Sequence, residues 1–247
     1  MASKRPFYSL YAHAYDLLIT DPVEPWVAAV HSSLARPAAT ILDAGCGTGR
    51  HAAALIELGH RVDLIDVSVE LLALAAARCP TARTWTADLR ALGTWPAATT
   101  AASGDLGCAY DAVTCRGVLN DLIDDDERLS AMRSLAGCLI PGGALFLDVR
   151  ERDASRRRAD GVPRSKRVDL PGGGLLTFAA RTTWDDGLLR VDETYTLDGR
   201  DSHYDFVMRP WTEPELRDVL GTCGLHDVRI SAGAGRRTPD RLFVVAR

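Results

Sequence analysis

Thr40-Ile41-Leu42-Asp43-Ala44-Gly45-Cys46-Gly47-Thr48-Gly49 is the stretch on which the fold of this chain turns. A short run of buried-strand character leads into an aspartate and three alternate glycines. A helical pattern follows, with Ala52, Ala53, Leu55 and Ile56 apolar and Gly59 ending it. Glycines between a strand and a helix let backbone N–H groups approach a ligand with no Cβ in the way. Gly45-x-Gly47 alone also suits a dinucleotide site, but that fingerprint wants its third glycine where this chain has Arg50. Asp43, ahead of the glycines, is ill suited to a pyrophosphate and well suited to a cationic ligand.

Outward from this turn, short apolar runs alternate with helical patterns, as in a parallel sheet with crossover helices. Val62 to Ile65 reads as a second strand ending at Asp66, and Ser68 caps a helix over Val69–Arg78 that Pro80 terminates. Thr81 to Thr86 is a weaker third strand ending at Asp88, and residues 92–107 read as loop. Asp111 to Cys115 is a fourth strand. The acidic run 124–127 opens a helix striped by Leu129, Met132, Leu135 and Leu139. Pro141-Gly142-Gly143 turns the chain into a fifth strand, Ala144 to Val149. Residues 151–167 read as a basic loop, and 174–209 as an antiparallel meander with hairpin turns at Asp186-Gly187 and Asp198-Gly199. Thr212 and Glu215 form a capping box. Leu225 to Ser231 and Arg241 to Ala246 close the chain as strands joined too tightly for a crossover, hence antiparallel. The fold class is α/β: a Rossmann-like, doubly wound seven-stranded sheet with its last two strands antiparallel, and a β-meander cap inserted after strand five.

Composition bounds the function classes. The 247 residues are 47% hydrophobic and 25% charged with a net charge of −4, ordinary for a globular protein and unlike a nucleic-acid or anionic-membrane binder. None of the 6 cysteines has the C-x₂₋₄-C spacing of a structural zinc site, so no metal is expected. The cysteines read as reduced and the N-terminus lacks a signal-peptide core, which sets the expectation of a cytoplasmic protein.

The motif Ile41-Leu42-Asp43-Ala44-Gly45-Cys46-Gly47-Thr48-Gly49 resembles the first motif of class I S-adenosylmethionine-dependent methyltransferases. The resemblance continues at Asp66, Asp88-Leu89, Cys115 and Pro141-Gly142-Gly143, in the family's order. It implies a cofactor site of Tyr15, Asp43, Gly45, Cys46, Gly47, Asp66, Val67, Asp88, Leu89 and Cys115. In that site Asp66 takes the ribose hydroxyls, Asp88 the adenine amino group, and the Cys115 backbone lines the methionine portion. S-adenosyl-L-methionine is then the methyl donor and S-adenosyl-L-homocysteine the product. The layout is similar to that of secondary-metabolite and amino-sugar methyltransferases. It implies one domain over 1–247, with a helical lid at 1–36, a core at 37–150 and 211–247, and a β cap at 151–210.

A methyl on a sulfonium is already activated, so the remaining needs are alignment, exclusion of water and sometimes a base. Tyr8, Tyr11 and Tyr15 fall at helical spacing, either as a lid face or as ordinary packing. Tyr11, Arg116, Arg209 and Trp211 are candidate acceptor contacts. Arg116 alternatively pairs with Asp121 or Asp124, and Arg209 would anchor a carboxylate or phosphate. Asn120 and His203 are the candidate catalytic groups, although a lone strand histidine is commonly solvated. The basic stretch Arg156-Arg157-Arg158, Arg164, Lys166 and Arg167 is either a solvated loop or an attractor of anionic acceptors. The expected function is methyl transfer to a small molecule, with a slight preference for an amine nitrogen over a hydroxyl or carboxylate. The other classes are a nucleotide-cofactor oxidoreductase, which Arg50 and Asp43 oppose, and a non-catalytic binding module. The protein is expected to be a monomer or homodimer, with no nucleic-acid or membrane partner.

Overall fold

A computed structural model describes residues 5–94 and 109–247. Strands β1 (Thr40–Ala44), β2 (Arg61–Asp66), β3 (Thr84–Thr86), β4 (Tyr110–Arg116) and β5 (Leu139–Arg150) run parallel. Four strands of a second sheet follow, β6 (Arg164–Asp169), β7 (Leu175–Asp185), β8 (Leu188–Leu197) and β9 (Arg200–Met208), and then β10 (Val228–Ala232) and β11 (Arg241–Ala246). The seven-stranded sheet has the order β10-β11-β5-β4-β1-β2-β3, with β11 antiparallel to both β5 and β10. Strand order reverses between β1 and β4, so the carboxyl ends of these strands open onto the crevice where ligands of doubly wound sheets bind.

Period-two side chains divide the core into two layers. Ile41, Ala144 and Phe146 join Trp26, Val30, Leu55 and Ala75 on one face, packed by α2 (Glu24–Ser33), α3 (Arg50–Glu57) and α4 (Val69–Arg78). Leu42, Leu145 and Leu147 join Met132, Leu135, Leu216 and Leu220 on the other, packed by α5 (Asp125–Gly137) and α7 (Glu213–Thr222). The predicted caps form: Ser68 Oγ accepts from Leu71 N, Asp124 from the N–H groups of Asp126 and Glu127, and Thr212 with Glu215 makes the reciprocal box. Pro141-Gly142-Gly143 lies where the β4–β5 register jumps, between the Tyr110–Leu139 and Ala112–Ala144 pairs.

The cap is a separate four-stranded antiparallel sheet in the order β6-β7-β8-β9. Both predicted hairpin turns have two consecutive residues at positive φ, Asp186-Gly187 and Asp198-Gly199, as type I′ turns require. Two local expectations are corrected. Residues 151–167 are not loop: Glu151 caps helix α6 (Arg152–Arg158), whose closing arginines sit at the negative end of its dipole, and β6 begins at Arg164. The N-terminal tyrosines are not on one continuous helix. Pro6–Tyr8 and Ala12–Ala14 are single 3₁₀ turns before the one-turn α1 (Tyr15–Leu18). In this broken segment Phe7 stacks on Phe178 (5.5 Å) and Tyr11 on Tyr195 (5.0 Å). The loop expected over 92–107 lies, from residue 95 onward, outside the described residues.

Candidate active site

The glycine turn sets the shape of the crevice. Gly45, Gly47 and Gly49 all hold positive φ (73°, 56° and 74°). A Cβ on Gly45 would collide with the Val118 side chain and one on Gly49 would press on Ala75, whereas one on Gly47 would enter open space. Four of the turn's N–H groups are spent internally. Gly45 and Cys46 donate to the Ile65 carbonyl (2.8 and 3.0 Å), Gly49 to the Cys46 carbonyl (3.0 Å), and Gly47 to Asp66 Oδ2 (2.8 Å). With those four amides taken and Asp43 and Asp66 beside them, the turn suits a cationic ligand bearing hydroxyls better than a pyrophosphate.

Three aspartates stand at the strand ends. Asp43 is buried, accepts from Thr114 Oγ1 at 2.8 Å, and its other oxygen takes no hydrogen bond among the described residues. Burial pushes its pKa up to about 6, against the Thr114 hydrogen bond and with the help of Asp66. Asp66 is also raised by burial, while the N–H groups of Ser68 and Gly47 pull it down; each carboxylate oxygen takes one of these donors and keeps acceptor capacity. Asp88 is gripped by Arg90, whose Nε and Nη2 reach both oxygens, and this holds its pKa below the usual value. Val67 is half-buried, Leu89 and Cys115 are buried, and Cys46 lies at intermediate depth beside the aspartates.

The N-terminal segment is pinned across this crevice. Asp16 accepts from Thr48 Oγ1 (2.6 Å) and Arg78 Nη2 (2.7 Å), and Arg78 also donates to the Thr48 carbonyl. Arg50, the residue that breaks the dinucleotide fingerprint, donates to the carbonyls of Ile19 and Asp21 (2.7 and 3.1 Å). Ser68 Oγ reaches the Tyr8 carbonyl. Asp16→Ala removes the bonds that α1 accepts from Thr48 of the glycine turn and from Arg78 of α4, each worth about 1 kcal/mol. Amide exchange over residues 5–20 is expected to accelerate about tenfold while the central strands keep their protection. Unchanged exchange there would show that Asp16 does not hold the segment down.

Other sequence candidates lie elsewhere. Asn120 is fully buried and committed: its amide donates to the Gly117 carbonyl, its Oδ1 accepts from Arg150 N, and its own carbonyl accepts from Arg209 N. Trp211 sits in the core, with the Arg128 guanidinium 3.8 Å from its ring centroid and Nε1 donating to Leu119 O. Arg209 bonds Asp125 and Glu215, joining the cap to α5 and α7. His203 lies on the exposed face of the cap sheet beside Thr194, opposite in pleat to Tyr204 and Phe206. Tyr11 is buried against Tyr195. Arg116 pairs with neither Asp121 nor Asp124. It donates to the Gly235 carbonyl at 3.2 Å near Trp26, and burial pushes its pKa down to about 10. In the basic stretch, Arg164 pairs with Asp160, Arg158 reaches Asp240, and Lys166 donates to Leu18 O.

Three charged residues lie under the cap: Arg5 and Glu193, which the sequence did not mark out, and Asp121, expected only as a partner of Arg116. β8 turns Leu189, Val191, Glu193 and Tyr195 inward, so Glu193 is a carboxylate in an apolar stripe, 2% exposed. That alternation was the available signal. Arg5 Nε donates to Glu193 at 2.9 Å, and the Tyr195 hydroxyl donates to it at 2.6 Å. Asp121 ends the 3₁₀ turn Leu119–Asp121 after β4. Burial raises its pKa to about 6 against Arg5, Arg150 and Arg241, and among the described residues its carboxylate accepts no hydrogen bond from a side chain. No group of three or more His, Cys, Asp or Glu among the described residues is placed to hold a metal ion.

Comparison with known proteins places this geometry in context. Residues 41–143 match the family described as a methyltransferase domain. The chain is 30% identical over 198 residues to glycine/sarcosine N-methyltransferase of Halorhodospira halochloris, an alignment covering 78% of this chain and 68% of that protein. It is 33% identical over 172 residues to cypemycin N-terminal methyltransferase of a Streptomyces species, covering 66% and 64%. Among solved structures, S-adenosylmethionine-bound CalS10 of Micromonospora echinaspora, an amino pentose methyltransferase, superposes with a TM-score of 0.73 at 26% identity, covering 97% of each chain.

Proposed function

We propose an amine nitrogen of a small secondary metabolite as the methyl acceptor of this chain, which belongs to the S-adenosylmethionine-dependent methyltransferase family. The observation that carries the nitrogen reading is the charge lining the space under the cap: carboxylates and, among the described residues, no base stronger than a carboxylate placed to take a hydroxyl proton. His203 faces outward and Asn120 is saturated. Burial, together with the field of Arg116, Arg236 and Arg50, drives the pKa of His51 down to about 2. A hydroxyl acceptor must be relieved of its proton as it attacks, so it needs a positioned base. An amine attacks as its neutral form. An acceptor arriving as an ammonium first gives its proton to a carboxylate, for which Asp121, raised by burial to about 6, is suited. The methylated ammonium that forms is then held by Glu193 and Asp121. The N-methyltransferases to which the chain is similar support the same choice.

The donor set at the strand ends fits the methyl donor: Asp66 for the ribose hydroxyls, Asp43 for the amino group, and Asp88, after release from part of the Arg90 grip, for the adenine edge. Val67, Leu89 and Cys115 supply its apolar walls. The bound cofactor supplies an activated methyl group. The protein's part is to orient the acceptor and exclude water, which the N-terminal segment and cap do by covering the crevice.

The test is a panel of small acceptors matched in shape, amine against alcohol, with methylated products identified by mass spectrometry. Methylation of amines at rates at least about tenfold above their alcohol partners is expected. Products methylated only on oxygen would overturn the nitrogen reading.

A further inference from the structure

The chain carries its own cation inside the space under the cap. The Arg5 guanidinium carbon lies 4.8 Å from the Tyr8 ring centroid, 5.4 Å from that of Phe7 and 4.1 Å from that of Phe206. Its Nε and Nη2 hold Glu193 and its Nη1 donates to the Tyr8 hydroxyl at 2.8 Å. Tyr204 lies directly across from Glu193 in the β8–β9 register and packs beside Phe206 (6.0 Å). Aromatic faces around a buried carboxylate are what a desolvated organic cation selects.

Two features show that this is more than a closed structural ion pair. Asp121, half-buried at the end of the turn that packs against β9, adds a second carboxylate within electrostatic reach of the same guanidinium, with Arg150 and Arg241 beyond it. The pocket also adjoins the cofactor crevice: Tyr8 packs on Tyr15 (6.2 Å), and its carbonyl is held by Ser68 Oγ, while Asp66 accepts from the Ser68 N–H. A cation in the place of Arg5 would thus sit next to the strand ends.

We infer that Glu193, Asp121, Tyr8 and Phe206 form the recognition pocket for an ammonium-bearing acceptor, and that Arg5 is an internal competitor which the acceptor displaces. This rests on the amine reading above and adds its specificity residues. It gives Arg5 a gating role: the site is closed by a surrogate until a better-matched cation arrives.

The competitor role and a purely structural clasp predict opposite signs for removal of Arg5. A clasp would loosen the segment and weaken binding, whereas a competitor would free the pocket. The probes are choline, a quaternary ammonium, and its neutral isostere 3,3-dimethylbutan-1-ol, titrated calorimetrically into the full chain saturated with S-adenosylhomocysteine. Arg5→Ala and Arg5→Gln are both expected to bind choline at least about tenfold more tightly than wild type, with no change for the neutral isostere. Adding Glu193→Gln or Asp121→Asn to Arg5→Ala is expected to remove most of that gain. Unchanged or weaker choline binding in both Arg5 variants, or an equal gain for both probes, would overturn the proposal. Because these titrations need no turnover, they fail independently of the acceptor panel. Nitrogen products without a gain in choline binding would sink the competitor alone, and oxygen-only products would sink the amine reading whatever Arg5 does.

Discussion

Asp66→Ala is expected to weaken binding of S-adenosylhomocysteine by about 10²–10⁴-fold. Two charge-assisted hydrogen bonds to ribose hydroxyls are each worth about 1.5–3 kcal/mol, and alanine offers neither. The effect has two parts, because Asp66 also accepts from the N–H groups of Gly47 and Ser68. Losing those bonds loosens the glycine turn and lowers the melting temperature of the ligand-free variant. Asp66→Asn separates the parts: its carbonyl oxygen still accepts one of the two donors, so the turn is partly kept while the charge is gone. A thermal-shift titration measures both, comparing the stabilisation of each variant at one ligand concentration with its own ligand-free melt. A wild-type shift in Asp66→Ala would remove Asp66 from the cofactor site.

Asp148→Ala is expected to give the largest loss of stability, about 3–5 kcal/mol. Asp148 is wholly buried and is held by Arg236 through two bonds (2.8 and 2.9 Å) and by Arg241 through one (2.9 Å). Its removal strands Arg241, whose pKa burial already pushes down to about 9, and takes the main partner from Arg236. Uncompensated buried charges of this kind are far costlier than the pair is beneficial. For a domain of this size the midpoint of thermal unfolding should fall by about 6–20 °C. Asp21→Ala is the control. It removes the Arg236 Nη1 contact at 3.0 Å and the bond Asp21 accepts from Arg237 N at 3.2 Å, and leaves the Arg236 guanidinium paired with Asp148, so it should cost about 1–2 kcal/mol. Equal losses in the two variants would show that Asp148 is not the centre of the network.

The sequence and the structure agree where the signal is local. The glycine turn, the caps at Ser68, Asp124 and Thr212, and the Asp-Gly hairpins all specify backbone conformations within a few residues, and all form. The doubly wound sheet with its two closing antiparallel strands followed from the alternation of elements and from the short connection before β11. Charged residues were harder to place. The arginines of 156–158 looked like a solvated loop because a seven-residue helix carries too few positions to show a period. Arg209 and Trp211 looked available for a ligand because nothing in their neighbourhood names Asp125, Glu215 or Leu119 as partners.

By itself, then, the order of glycines and strand-end aspartates determined the fold class, the crevice and the kind of donor that crevice suits, since each depends on backbone geometry that neighbouring residues dictate. Only the tertiary structure decided what faces the acceptor. It turned His203 to solvent, sealed Asn120 into backbone bonds, and brought Arg5 from one end of the chain onto Glu193 of the cap, 188 residues away. The physical reason is that a side chain's chemistry is set by its burial and its partners. For a charged group those partners are chosen by the cost of desolvation across the whole fold, not by its neighbours in the chain.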